Sequence, residues 1–443
     1  MRLCLDYKIA RLGLPILIGQ LGTIVVGFAD TAMVGHYNTP SLASASFVNN
    51  LFNVAIFTLL GFSYGLTPLA GALFGRGDKR GTGALLRSAL VANVAFGVAV
   101  TLVMLAIYFN LHRMGQPEEL LPLIKPYYLI YLAGLLPIAV FNAFAQWAYA
   151  INSTRMPMWI ILISNALNIA GNYALIYGHG GLPELGLNGA GVSTLLARLF
   201  CALAIVAVFL RGKRYADYRA GYAGGRINTA DLRRVTLTSL PVSLQMACES
   251  GSFTAAAVMA GWLGALELAS YQVTVILGTL GFCIYYSMGA ATSVMVANAA
   301  GLSDMRLMRR TAMAGYRIIL TLAVCSSTVF FIGAEPILRL FTADEAVIGL
   351  SLTLIFPLIL YQLGDATQVT FANALRGTSK VGPMMWISVV SYVIIGMPAT
   401  YMLAFTAGLG LYGIILSFSA SLFLAGGLFL YYFLRSTRNF SHH

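Results

Sequence analysis

Charge is scarce in this chain. Only 9% of its 443 residues are Asp, Glu, Lys or Arg, against about 25% in a soluble domain, and so few charges cannot make a water-facing globular surface. With 59% of residues hydrophobic, the bilayer must act as solvent for most side chains. Cysteine is scarce too. Cys4, Cys201, Cys248, Cys283 and Cys325 are dispersed, with neither CxxC spacing nor a disulfide framework, so structural thiols are expected. His36, His112 and His179 stand alone in expected outer loops, and the closing His442 and His443 read as the stub of a tag. Asp-rich metal motifs and paired histidines are missing, which argues against a membrane-embedded enzyme; neither catalysis nor a cofactor is expected. No cleavage site follows the apolar run beginning near Leu12, so that run reads as a first transmembrane helix and not a signal peptide.

What is abundant is long apolar sequence. About 20 such residues cross the hydrocarbon core, and that ruler predicts twelve spans: 12–35, 45–70, 86–109, 126–150, 157–177, 188–210, 237–262, 268–297, 311–333, 350–374, 383–406 and 410–433. Helices are required, because backbone in lipid must bond within its segment or in a closed barrel, and these runs lack a barrel's alternation. Arg and Lys collect at the N-terminus (Arg2, Lys8, Arg11) and after span 2 (Arg76, Lys79, Arg80). They recur after span 6 (including Arg219 and Arg226), after span 8 (Arg306, Arg309, Arg310), after span 10 (Arg376, Lys380) and in the tail. The positive-inside rule then puts both termini in the cytoplasm. The net charge of +12 is therefore topological and does not signal nucleic acid.

An internal repeat runs through the chain. Leu14-Pro15 and Leu240-Pro241 are 226 residues apart, as are Met33 and Met259, Gly35 and Gly261, Leu42-Ala43-Ser44 and Leu268-Ala269-Ser270, Asp78 and Asp304, and Pro157 and Pro383. Near the end the offset drifts by two, where Gly186 answers Gly410. One offset across six spans implies two six-helix bundles: 1–210, a cytoplasmic linker at 211–234, and 235–443. Paired bundles of this kind are a transporter design in which one bundle rocks against the other about a midplane site.

Only three acids fall within the spans: Asp30, Glu249 and Asp365. Ionisable groups there are costly and mark function by default. Gln245 and Ser252 share a helix face with Glu249, and Tyr361 and Gln368 flank Asp365 at i−4 and i+3. Two such carboxyls on facing helices repel, so one holds a proton or recruits a cation. Asn165, Asn168 and Asn172 form one polar stripe in span 5. Arg198 is a deep cation in span 6, free by sequence to pair with an acid or to line a cavity.

Several segments resemble the multidrug and toxic compound extrusion (MATE) family, its NorM branch in particular. They are Phe28 to Gly35 (FADTAMVG), Gly75-Arg76-Gly77-Asp78, Glu249-Ser250-Gly251-Ser252-Phe253, Tyr361 to Gln368 (YQLGDATQ) and Leu375-Arg376-Gly377. The resemblance covers essentially the whole chain. It implies an all-α polytopic protein with twelve helices in two pseudo-symmetric lobes forming a V. Such a protein would be a monomer in the bacterial inner membrane that exports cationic amphipathic compounds in exchange for Na+ or H+. It implies a C-lobe cation site, for Na+, at Glu249, Tyr361 and Asp365. An N-lobe site would lie at Asp30, Asn168, Asn172 and Thr194, with a backbone carbonyl near Ala190. Gln245, Phe253 and Gln368 are the candidates for the substrate cleft. Some proton-linked relatives carry Asp where this chain has Asn172, which leaves its N-lobe site one acid short. The other reading is a flippase for lipid-linked glycans on a similar fold, but a pyrophosphate favours a cation-lined cavity, and here acids predominate.

Overall fold

A computed structural model describes residues 2–114, 117–225, 227–342 and 344–438, with side chains from residue 5 onward; Arg226, His442, His443 and the side chains of Arg2 and Cys4 lie outside the described residues. The regular elements described are all helical. In chain order they begin α1 (Arg2–Tyr37), α2 (Thr39–Tyr64), α3 (Leu66–Gly75), α4 (Lys79–Phe109), α5 (Leu121–Ala133) and α6 (Leu135–Ala150). Then come α7 (Arg155–Tyr177), α8 (Leu187–Arg211), α9 (Ala216–Gly224), α10 (Thr229–Leu263), α11 (Ala265–Gly301) and α12 (Met305–Ile332). The last are α13 (Ala334–Arg339), α14 (Glu345–Thr353), α15 (Ile355–Gly377), α16 (Gly382–Ser388), α17 (Met397–Tyr401) and α18 (Gly410–Arg438). Wide π-turns at Val389–Gly396 and Met402–Thr406 join α16 and α17 into one span, Gly382–Thr406.

Ten helices among the described residues are long and apolar enough to cross a membrane, or eleven if the bent pair α14–α15 counts as one. The remaining expected span, 237–262, lies in α10. That helix has 35 residues, so its shortfall is one of composition: Gln245, Glu249 and several Ser and Thr dilute the apolar run.

Three spans are broken, and each break has the same cause. Proline lacks the N–H that would bond the carbonyl four residues back. Pro68, Pro137 and Pro357 release the carbonyls of Tyr64, Ala133 and Thr353, which are the last residues of α2, α5 and α14. The α14–α15 bend is 55°.

The chain forms two compact units, 18–243 and 1–17 joined with 244–443. These boundaries differ from the sequence expectation of 1–210, 211–234 and 235–443 in two ways. First, 211–234 is not a free tether. It contains α9, which lies against α4 so closely that a Cβ on Gly83 would fall 1.9 Å from the Tyr218 carbonyl oxygen, and one on Gly221 2.0 Å from that of Arg80. Arg87 donates to the Gly225 carbonyl at 2.6 Å, and Trp147 packs edge-on against Tyr218. Arg219 donates to the carbonyls of Leu210 and Gly212 at the end of α8. Lys79 pairs with Asp217 at 2.9 Å, both exposed, and its ammonium holds the Asp217 carboxyl below the usual range.

Second, the units trade the beginnings of their first helices. In the C-terminal unit Ile9 is fully buried against Ala291 and Ala314, Gly13 lies under the Met288 side chain, and Arg317 pairs with Asp6 at 3.0 Å. In the N-terminal unit Val235 is fully buried in the apolar cluster around Trp147, Gly65 abuts Ser239, and the Ser243 hydroxyl donates to the Thr58 carbonyl at 2.8 Å. Both crossing points, 17/18 and 243/244, obey the offset of 226.

Local geometry repeats as well. Asp78 caps α4 by accepting from the Gly81 N–H at 2.7 Å, and Asp304 caps α12 by accepting from the Leu307 N–H at 2.8 Å. Gly186 and Gly410, with φ of +53° and +54°, open α8 and α18.

Candidate functional site

In the C-terminal unit α10 supplies Glu249 and α15 supplies Asp365. The two residues are 8% and 1% exposed, and their carboxyls are close enough to repel one another. Tyr361, one turn before Asp365, feels both charges. Gly278 admits it: a Cβ at 278 would lie 3.3 Å from the Tyr361 ring. Glu249 is hydrogen-bonded by the side chains of Gln245 and Gln368, so two of the expected cleft residues also hold the acid. The third, Phe253, stacks on Phe418 with centroids 5.0 Å apart and packs into an apolar cluster with Ala256 and Tyr271.

Two members of this site were not expected. The sequence places Arg376 among the loop cations after span 10, but it belongs to α15, is 3% exposed, donates to Asn373 at 3.2 Å and faces Glu249 electrostatically. With Gln245, Glu249, Gln368, Phe282 and Tyr286 it lines a cavity. Tyr392, on the first π-turn, is 2% exposed and within reach of both acids. The charge is therefore unevenly met. Glu249 has a cation and two amides beside it. Asp365 has Glu249 as its charged neighbour, and its Oδ2 has no hydrogen-bond partner among the described residues.

The N-terminal unit gathers Asp30 from α1, Asn168 and Asn172 from α7 and Thr194 from α8. The Asn172 amide donates to Asp30 Oδ1. With the Asn168 amide turned so that both its atoms are satisfied, its nitrogen donates to Asp30 Oδ1 at 2.8 Å. Its oxygen then accepts from the Thr194 hydroxyl at 3.3 Å and N–H at 3.2 Å. Asn165, first of the polar stripe, faces Gly22 and not this cluster. Ala190 is buried one turn before Thr194 on α8. Arg198, one turn after Thr194, lies 4.5 Å over the Tyr131 ring and within electrostatic reach of Asp30 and Tyr127. The two tyrosines, whose rings are 4.9 Å apart, are additions to the expected set.

Both clusters offer carboxylate, phenol, hydroxyl and amide oxygens, which suit a hard monovalent cation or a proton. Among the described residues no group of three or more His, Cys, Asp or Glu could hold a metal ion.

Comparison with known proteins fits this layout. The MatE family model matches residues 15–174 and again 241–402, starts that repeat the offset of 226. The model of the lipid II flippase MurJ matches residues 123–269. A protein of Bradyrhizobium diazoefficiens named a probable multidrug resistance protein NorM is 29% identical, over 94% of this chain and 91% of its own. The multidrug resistance protein PmpM of Pseudomonas aeruginosa is 30% identical, over 90% of this chain and 84% of its own. The crystal structure of a MATE protein in complex with MaL6 superposes with a TM-score of 0.88 at 21% identity, covering 98% of this chain and 96% of that one.

Proposed function

The chain belongs to the MatE family, and from that premise we propose that it is a multidrug efflux antiporter, exporting cationic amphipathic compounds in exchange for Na+ or H+. The observation that carries the coupling mechanism is the pair Glu249 and Asp365, two carboxyls buried together on facing helices of one unit. Leaving Asp365 as a bare buried anion beside a second acid is costly. A bound cation or proton removes that cost. A cationic substrate that displaces the ion takes over the same negative charge, and occupancy by one or the other, with the site opening alternately to each side, is exchange. Na+ at Glu249, Tyr361 and Asp365 is the leading assignment, with the protein in a bacterial inner membrane and both termini cytoplasmic.

The test is dye efflux from proteoliposomes with Na+ and pH gradients imposed separately. Glu249→Gln with Asp365→Asn should abolish the response to the coupling gradient. Unchanged efflux and unchanged cation dependence would sink the C-terminal mechanism. The flippase match over 123–269 favours a second reading, movement of a lipid-linked glycan. Transfer of lipid-linked oligosaccharide by protein that moves no dye would select it.

A further inference from the structure

Arg198 has an unusual seat. It lies beside Gly134, the residue between α5 and α6, where Pro137 cannot bond the Ala133 carbonyl. A Cβ at 134 would fall 2.6 Å from Arg198 Nη1 and 2.9 Å from its Cδ, so the guanidinium occupies the space a side chain there would take. Two features hold it. The Tyr131 ring lies beneath it at 4.5 Å, a cation–π contact. Asp30 is within electrostatic reach. Yet Nη1 has no hydrogen-bond partner among the described residues; the ring holds the charge without a committed bond. Asp30, meanwhile, accepts from neutral amides, which orient it without neutralising it.

We propose that Arg198 is the built-in counter-charge of the Asp30 cluster. It is a positioning residue that supplies positive charge to Asp30 when the cluster holds no cation, and its influence must be overcome when a cation arrives. The inference rests on the reading that the Asp30 cluster takes a coupling cation. It assigns Arg198 the role of setting how much cation is needed. The device is specific to this unit, because Leu422 stands at the matching position, 224 residues on, where Gly186 answers Gly410.

The experiment measures dye efflux in proteoliposomes, and the melting temperature of purified protein, as Na+ and H+ are titrated in turn. Arg198→Gln should lower the half-maximal concentration of the coupling cation about tenfold, the scale of one charge removed in a medium of intermediate dielectric. Arg198→Lys keeps the charge and should stay near the wild-type value. Gly134→Ala keeps Arg198 but displaces it, and should shift the half-maximum in the same direction as Arg198→Gln. In an Asp30→Asn background the Arg198→Gln shift should vanish. A purely structural arginine would lower the melting temperature without moving the half-maximum. That outcome overturns the inference, as does a shift of equal size with Asp30 or Asn at position 30. Asp30→Asn leaving the cation dependence unchanged overturns the inference together with the N-terminal reading beneath it.

Discussion

Arg376 is the residue whose surroundings most change the account of the C-terminal site. The next-to-last residue of α15, it has the sequence position of a loop cation but the burial of a core residue. Removing a buried charge that faces one of opposite sign costs about 3 kcal/mol, because the survivor is left uncompensated. Arg376→Gln is therefore expected to lower the melting temperature markedly, and Glu249→Gln in the same chain to restore most of the loss. Melting curves of the two single variants and the double variant decide this; losses that simply add would show that the two groups do not act as a pair. Asp30, Glu249 and Asp365 were legible in the sequence because acids are rare in apolar spans. Asn168 and Asn172 were legible by spacing. Arg376 was not, since one helical turn separates a buried position from a loop and composition does not record which side is reached. Tyr392, Tyr127 and Tyr131 left no signal either, as an aromatic residue in an apolar run reads as packing.

At the level of elements, the expected spans all correspond to helices, because twenty apolar residues in lipid have little choice. The three breaks were legible in principle from Pro68, Pro137 and Pro357. What polarity concealed was α9. Its region is basic and glycine-rich, as tethers are, but Tyr215, Tyr218 and Tyr222 stand at i, i+3 and i+7, the spacing of one buried helical face. The docking depends on backbone meeting backbone, so Gly83→Ala is expected to push α9 away from α4 and destabilise the unit by about 1–3 kcal/mol. Limited proteolysis should then cut between 211 and 228 where the wild type resists. The Lys79–Asp217 pair is too exposed to hold α9 alone. Because the Asp217 carboxyl is depressed, its small contribution is present above the ordinary carboxylate range near about 4 and fades as pH falls through the lowered value.

The whole molecule joins its two units through α1 and α10, and each of these helices carries a proline two residues before its crossing point, Pro15 and Pro241. Neither can bond the carbonyl four residues back, at Arg11 or Leu237, so both helices are softest where they pass between units. Pro15→Ala and Pro241→Ala are expected to slow efflux several-fold while the melting temperature holds or rises; equal turnover with a lower melting temperature would assign the prolines to packing instead. The trade of helix beginnings has a consequence for how such a protein could arise. A chain carrying a single copy of the repeat could not complete a bundle from its own residues, because the piece that fills it comes from the start of the other copy. Two such chains could, each lending its opening turns to its mate. In its wiring the protein is a swapped dimer joined end to end. Fusion makes independent of concentration an assembly that separate halves would form only by meeting.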